Sequence, residues 1–174
     1  MSHAIFPART LDSFVQLNMS DNRLGVEGAK AVAPALAKSS LTSIDLSSNY
    51  LTGGHPYKEM SGVKAIARAI SSSAALRSTS LLCNSMDEKT VTMLLKVKES
   101  NLAIITLCGI KADQTEASFM GWGLKPADAK LLAPELANHG TLTKADLRGN
   151  RFSDDAKAQL RESAQGREKF VLRL

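Results

Sequence analysis

The sequence predicts an α/β solenoid of about five stacked strand–helix units, with a concave parallel sheet and convex helices. Two observations predict it. The first is a recurring phrase in which apolar residues at positions one, four and six lead to an asparagine at nine and an apolar residue at eleven. It reads Phe14, Leu17, Met19, Asn22, Leu24 and then Leu41, Ile44, Leu46, Asn49, Leu51, a shift of 27 residues throughout. Repetition at such a period is the mark of stacked units that share one core. The second is a helical register after each phrase: Gly28–Leu36, Gly62–Ile70 and Asp128–Leu136 carry the same apolar stripe.

Taken in order, the strand of each unit follows from alternation. Positions four and six point to one side of a short strand and enter the core, while positions five and seven point to the concave face. The third copy is Leu76, Thr79, Leu81, Asn84, Met86; the fourth begins Leu102, Ile105, Leu107; the fifth is Leu142, Ala145, Leu147, Asn150, Phe152. A last strand is expected over Phe170–Leu174, with Leu172 aligned to Ala145. Alanines such as Ala29, Ala31, Ala33 and Ala35 let a helix sit close to its neighbour at little entropic cost. Pro34 and Pro134 fall inside helices, where a missing N–H bends the axis.

This phrase resembles the leucine-rich repeat, and the full helix in each unit resembles its ribonuclease-inhibitor-like class. The resemblance covers residues 14–174, the repeat domain; residues 1–13 read as an N-terminal cover for the first strand's open edge. It implies that Asn22, Asn49, Asn84 and Asn150 form rungs of a ladder satisfying backbone groups in the turns, and that the module binds another protein rather than catalysing a reaction. It also brings two narrower functions, regulation of a small GTPase and actin-binding capping.

Two departures from the period locate loops. Asn49 to Gly62 is longer than Asn22 to Gly28 by seven residues, placing an insertion with His55 and Tyr57 within Leu51–Ser61. Between Leu107 and Leu124, the segment Cys108–Gly123 reads as about twelve inserted residues carrying Phe119 and the single tryptophan, Trp122. Long loops in compact repeats are often functional.

Charge and composition exclude several classes. The net charge of +5 is spread along the chain, with mild enrichment after residue 143, where eight cations face five acids. No basic and aromatic residues alternate on a strand face, which disfavours nucleic acid. Lys30, Lys64 and Lys130 share one helix position and read as a solvated outer face. No apolar run reaches membrane-spanning length, and residues 1–15 lack a secretory core, so the chain reads as cytoplasmic or otherwise intracellular. Cys83 and Cys108 fall at the ends of adjacent strands, where a bridge is geometrically conceivable, and a reducing compartment favours reading them as free thiols.

No catalytic, cofactor or metal constellation is legible. His3, His55 and His139 lie at unrelated register positions, and Gly121-Trp122-Gly123 lacks the remainder of a dinucleotide fingerprint. What remains is a surface. Position five supplies Asp45 and Asp146, position seven Leu82, Cys108 and Arg148, with Lys144 beside them. An apolar centre at Leu82 and Cys108 with a polar rim matches the anatomy of protein interfaces. The expected partner-binding set is therefore Leu82, Cys108, Lys144, Asp146, Arg148, Asp45, Trp122, Phe119, Tyr57 and His55, facing a protein with an acidic surface, with a monomer favoured and with Trp122 read either as an interface anchor or as a plug over the core where the repeat is interrupted.

Overall fold

The computed structural model describes residues 16–53 and 58–174. Strands and helices alternate along them as β1 (Gln16–Asn18), α1 (Gly25–Lys38), β2 (Ser43–Asp45), α2 (Ser61–Ser72), β3 (Ser78–Ser80), α3 (Glu88–Ser100), β4 (Glu116–Ser118), α4 (Pro126–Asn138), β5 (Lys144–Asp146), α5 (Asp154–Ser163) and β6 (Val171–Arg173). Every pairing between these strands is parallel and in the register of the repeat: Leu17 opposes Ile44, Ile44 opposes Thr79, Ala117 opposes Ala145, and Ala145 opposes Leu172. The proposed cover, residues 1–13, and the insertion residues His55 and Tyr57 lie outside the described residues.

Burial follows the phrase. Ile44, Leu46 and Leu51 of the second unit are fully buried, as are Leu76 and Leu81 of the third and Leu142, Ala145 and Leu147 of the last. Helices contribute Ala29 and Leu36 from α1 and Val63, Ile66 and Ile70 from α2 to the same continuous core. α1 and α2 pack most closely, because Gly62 lets the backbone of α2 touch Val26 and Ala29; a Cβ there would lie 3.0–3.1 Å from both and collide with the Leu51 carbonyl oxygen. The turns after the strands need left-handed backbone. Asp21, Ser48 and Cys83 adopt positive φ at position eight of the first three units, and Gly121 and Gly149 supply it without a Cβ in the later two.

The asparagine ladder is present as implied. Asn49 Oδ1 accepts from Asn22 N at 3.0 Å and its Nδ2 donates to Met19 O at 2.7 Å, sewing its turn to the previous one. Asn84 repeats this toward Asn49 N and Leu46 O, and Asn150 toward Leu124 N and Phe119 O.

The fourth unit differs from the expectation. Its strand is β4, which lies inside the segment read as an insertion. Phe119 N donates to Asp146 O as Met19 N donates to Asp45 O, so Ala117, Phe119, Trp122 and Leu124 occupy positions four, six, nine and eleven. The residues aligned instead, Leu102, Ile105 and Leu107, form an extra segment laid against β3 through the Ser78–Thr106 and Ser80–Cys108 bridges. That segment wedges between β3 and β4 and splits the sheet into β1-β2-β3 and β4-β5-β6. The wedge mimics the leucine spacing of the repeat, whereas β4 carries Ala117 at position four and a tryptophan at position nine.

Candidate partner-binding surface

On the concave face, position-five side chains hold their position-seven neighbours. Asn18 Oδ1 accepts from Ser20 N at 2.8 Å and Ser20 Oγ at 2.7 Å; Asp45 Oδ1 accepts from Ser47 N at 2.9 Å and Ser47 Oγ at 2.6 Å. In the fifth unit Asp146 takes Arg148 by a fork, with Arg148 Nε and Nη2 donating at 2.9 and 2.6 Å. On the same strand Lys144 pairs with Glu116 of β4 at 2.8 Å. These short side-chain turns satisfy local backbone and fix rotamers before any partner arrives.

The guanidinium of Arg148, helped by its backbone N–H and by Arg173 on β6, holds the Asp146 carboxyl down at about 2. Arg173 lies opposite Asp146 in the β5–β6 register, so Lys144, Arg148 and Arg173 gather on the last two strands as expected. Their field is reduced by Asp146 and Glu116, leaving a mixed-charge corner rather than a uniformly basic one.

Two expected surface residues are corrected. Leu82 is 0% and Cys108 1% exposed, so neither offers an apolar centre on the concave face. The wedge is the reason: it packs over the end of β3 and turns at Gly109, taking both side chains into the core. Burial also pushes the Cys108 thiol well above its ordinary range and Cys83 up to about 11, with both cysteines free. Exposed apolar surface sits instead one unit later, at Met120, which is position seven of the fourth unit and 56% exposed.

Beside it Trp122 is 45% exposed and meets the buried Phe119 edge-on, with ring centroids 5.1 Å apart. Phe119 is thus a core residue at position six, and Trp122 a half-covered aromatic at the place where the ladder would hold an asparagine. The tryptophan leaves the ladder open between the third and fourth units.

Two carboxylates of α4 close that gap, and neither belongs to the expected set. Asp128 accepts from Cys83 N at 3.0 Å and from Lys125 N at 2.9 Å. Glu135 accepts from Leu107 N and Thr106 Oγ1, each at 2.6 Å, and from Lys98 Nζ at 2.9 Å. Burial pushes the Asp128 carboxyl up against the opposing pull of those backbone N–H groups. The signal was available: Asp128 and Glu135 stand where the other helices have Gly28 and Gly62, Ala35 and Ala69. An acid at a glycine position of a tightly packed repeat needs an opened interface.

Among the described residues no cluster of His, Cys, Asp and Glu is arranged to hold a metal, and no helix is long and apolar enough to cross a membrane. Two family models match the chain, both described as leucine-rich repeat, over residues 13–33 and 40–58. A search of curated proteins found no match.

Proposed function

We propose, from the premise that this chain is a leucine-rich-repeat protein, that it is a non-enzymatic interaction module binding another protein through its concave face and the adjoining turn that carries Trp122. Leucine-rich-repeat domains generally mediate such contacts, and the pairing of strands with full helices supports the ribonuclease-inhibitor-like class.

One observation carries the reading. The concave polar side chains are held in place by their own neighbours, so association costs little ordering of them, and preorganisation of this kind favours affinity. Met120 and Trp122 add exposed apolar area at the edge of that polar field, the combination of anchor and rim that interfaces use. Asp45 marks the polar half, and Lys144 and Arg148 the mixed-charge half, where Arg173 leaves a surplus of positive charge that suits a partner with an acidic surface.

The test is capture of the partner from the source cell, followed by kinetics with Arg148→Glu and Trp122→Ala. The charge reversal is expected to slow association and flatten its salt dependence, since rim charges act on encounter more than on the bound state. Loss of the indole is expected to raise the dissociation rate at least tenfold while the variant stays folded. Unchanged kinetics in both variants would exclude this face.

A further inference from the structure

In this solenoid each strand from β1 to β5 is followed by a helix that backs the sheet, but the wedge has none. Residues 104–108 lie beside β3, yet the chain passes from there to β4 without forming a helix. As α2 and α3 also do, α3 and α4 meet over a small contact. A groove of about 520 Å³ opens between their C-terminal halves, at the end opposite the turn carrying Trp122. Ile104, Thr106 and Ile110 line it as buried residues, with Leu95 on one wall and Pro134 on the other. On its rim Leu102 is 92% and Ile105 51% exposed.

Polar chemistry narrows what fits. Both oxygens of Glu135 are taken, by Thr106 Oγ1 on one side and by Leu107 N and Lys98 Nζ on the other, so the buried part of the groove asks for an apolar guest. Lys98 has Glu135 as its one acceptor among the described residues, and its side chain remains 25% exposed, leaving ammonium donors for a carboxylate from outside. The opposite rim, formed by Pro134, Asn138 and His139, carries no acid; Glu99 is the single exposed acid, on the α3 side. Two helices wall the space and the wedge floors it, so it lies where a helix following the wedge would pack.

We infer that this groove takes an amphipathic helix from a partner protein, its apolar stripe seated on Leu102, Ile104 and Ile105 and a bordering carboxylate meeting Lys98. Helix-in-groove recognition uses apolar anchors at i, i+3, i+4 and i+7, and the exposed pair Leu102 and Ile105 supplies the receiving surface. This site is separate from the concave face, so the two readings stand or fall independently.

The experiment titrates the full chain with two synthetic helical peptides that share one leucine stripe, bordered by glutamates in one and lysines in the other, and follows methyl NMR signals. The expected result is movement of Leu102, Ile104, Ile105 and Ile110 signals by the glutamate peptide, binding at least tenfold tighter than the lysine peptide. Leu102→Asp and Ile105→Asp are expected to weaken it at least tenfold with an unchanged melting temperature, because both residues are exposed. No shift at these methyls, equal binding of the two peptides, or concentration-dependent self-association abolished by Leu102→Asp would overturn the inference, the last by making the occupant a second copy of this chain.

Discussion

Thr79 stands at position four of the third unit, where the second unit has Ile44, and its hydroxyl is fully buried without a hydrogen-bond partner. A buried hydroxyl left unpaired loses its hydration with nothing in return, and removing it costs no bond. Thr79→Val is therefore expected to stabilise the fold by about 1 kcal/mol, read from denaturant midpoints at unchanged m-value. At the surface the informative residue is Asp146. Its carboxyl is depressed to about 2, so the stabilisation from its pair with Arg148 is present above the ordinary carboxylate range and is lost as pH falls through about 2. An NMR titration is expected to place its midpoint there, and Arg148→Ala to move it upward; an unmoved midpoint would remove the guanidinium as the cause. These charged and polar site residues were legible because strand alternation fixes which side chain faces out. Leu82 and Cys108 were not, since outward direction becomes burial once another segment covers the strand.

The helices were legible as elements because their apolar spacing and alanine content repeat, and the structure extends each by only a few residues at its ends. What spacing does not carry is a strand with weak core residues. β4 presents Ala117 and Phe119 at the leucine positions of the repeat, and the wedge presents Leu102, Ile105 and Leu107 at the repeat spacing without belonging to the ladder. Hydrogen bonding separates the two, and single-chain periodicity has no access to it. Glycines separate in the same way by packing. Gly121 has φ +71° and open space around a would-be Cβ, so Gly121→Ala is expected to cost about 1 kcal/mol, the backbone term alone. Gly62 is helical and lies against both α1 and the Leu51 carbonyl oxygen, so Gly62→Ala forces α2 away from both and is expected to cost 2–3 kcal/mol, roughly the upper range of overpacked cores. Chemical denaturation of both variants checks the order; equal costs would mean that the close approach of α2 to α1 is not what Gly62 provides.

At the scale of the whole molecule, the solenoid is two parallel three-stranded halves whose sheets are not joined by a ladder. Among the described residues, no backbone hydrogen bond runs from residues 104–110 to β4, and the load passes to α4, whose Glu135 and Asp128 hold the first half through Leu107, Thr106, Lys98 and Cys83. The helical cores remain continuous across the seam, with Leu94, Ile104 and Leu107 on one side and Leu131, Leu132 and Leu136 on the other. Removing Glu135 leaves a buried N–H, a hydroxyl and a half-buried ammonium without their acceptor, and breaking a buried charged pair by deleting one partner costs roughly 3–5 kcal/mol. Glu135→Ala is accordingly expected to lower the melting temperature by about 6–20 °C, taking about 2–4 °C per kcal/mol for a domain of this size. The loss is expected to be local in kind. Hydrogen exchange of the variant should quicken first at Leu107 and in the surrounding 104–110 segment, while the β1–β2 and β5–β6 amides keep their protection until global unfolding. Glu135→Gln, which retains one acceptor oxygen, should recover part of the difference. A variant that melts like the wild type, or that loses protection evenly across all six strands, would show that the apolar core alone holds the two halves and that the carboxylate seam does not.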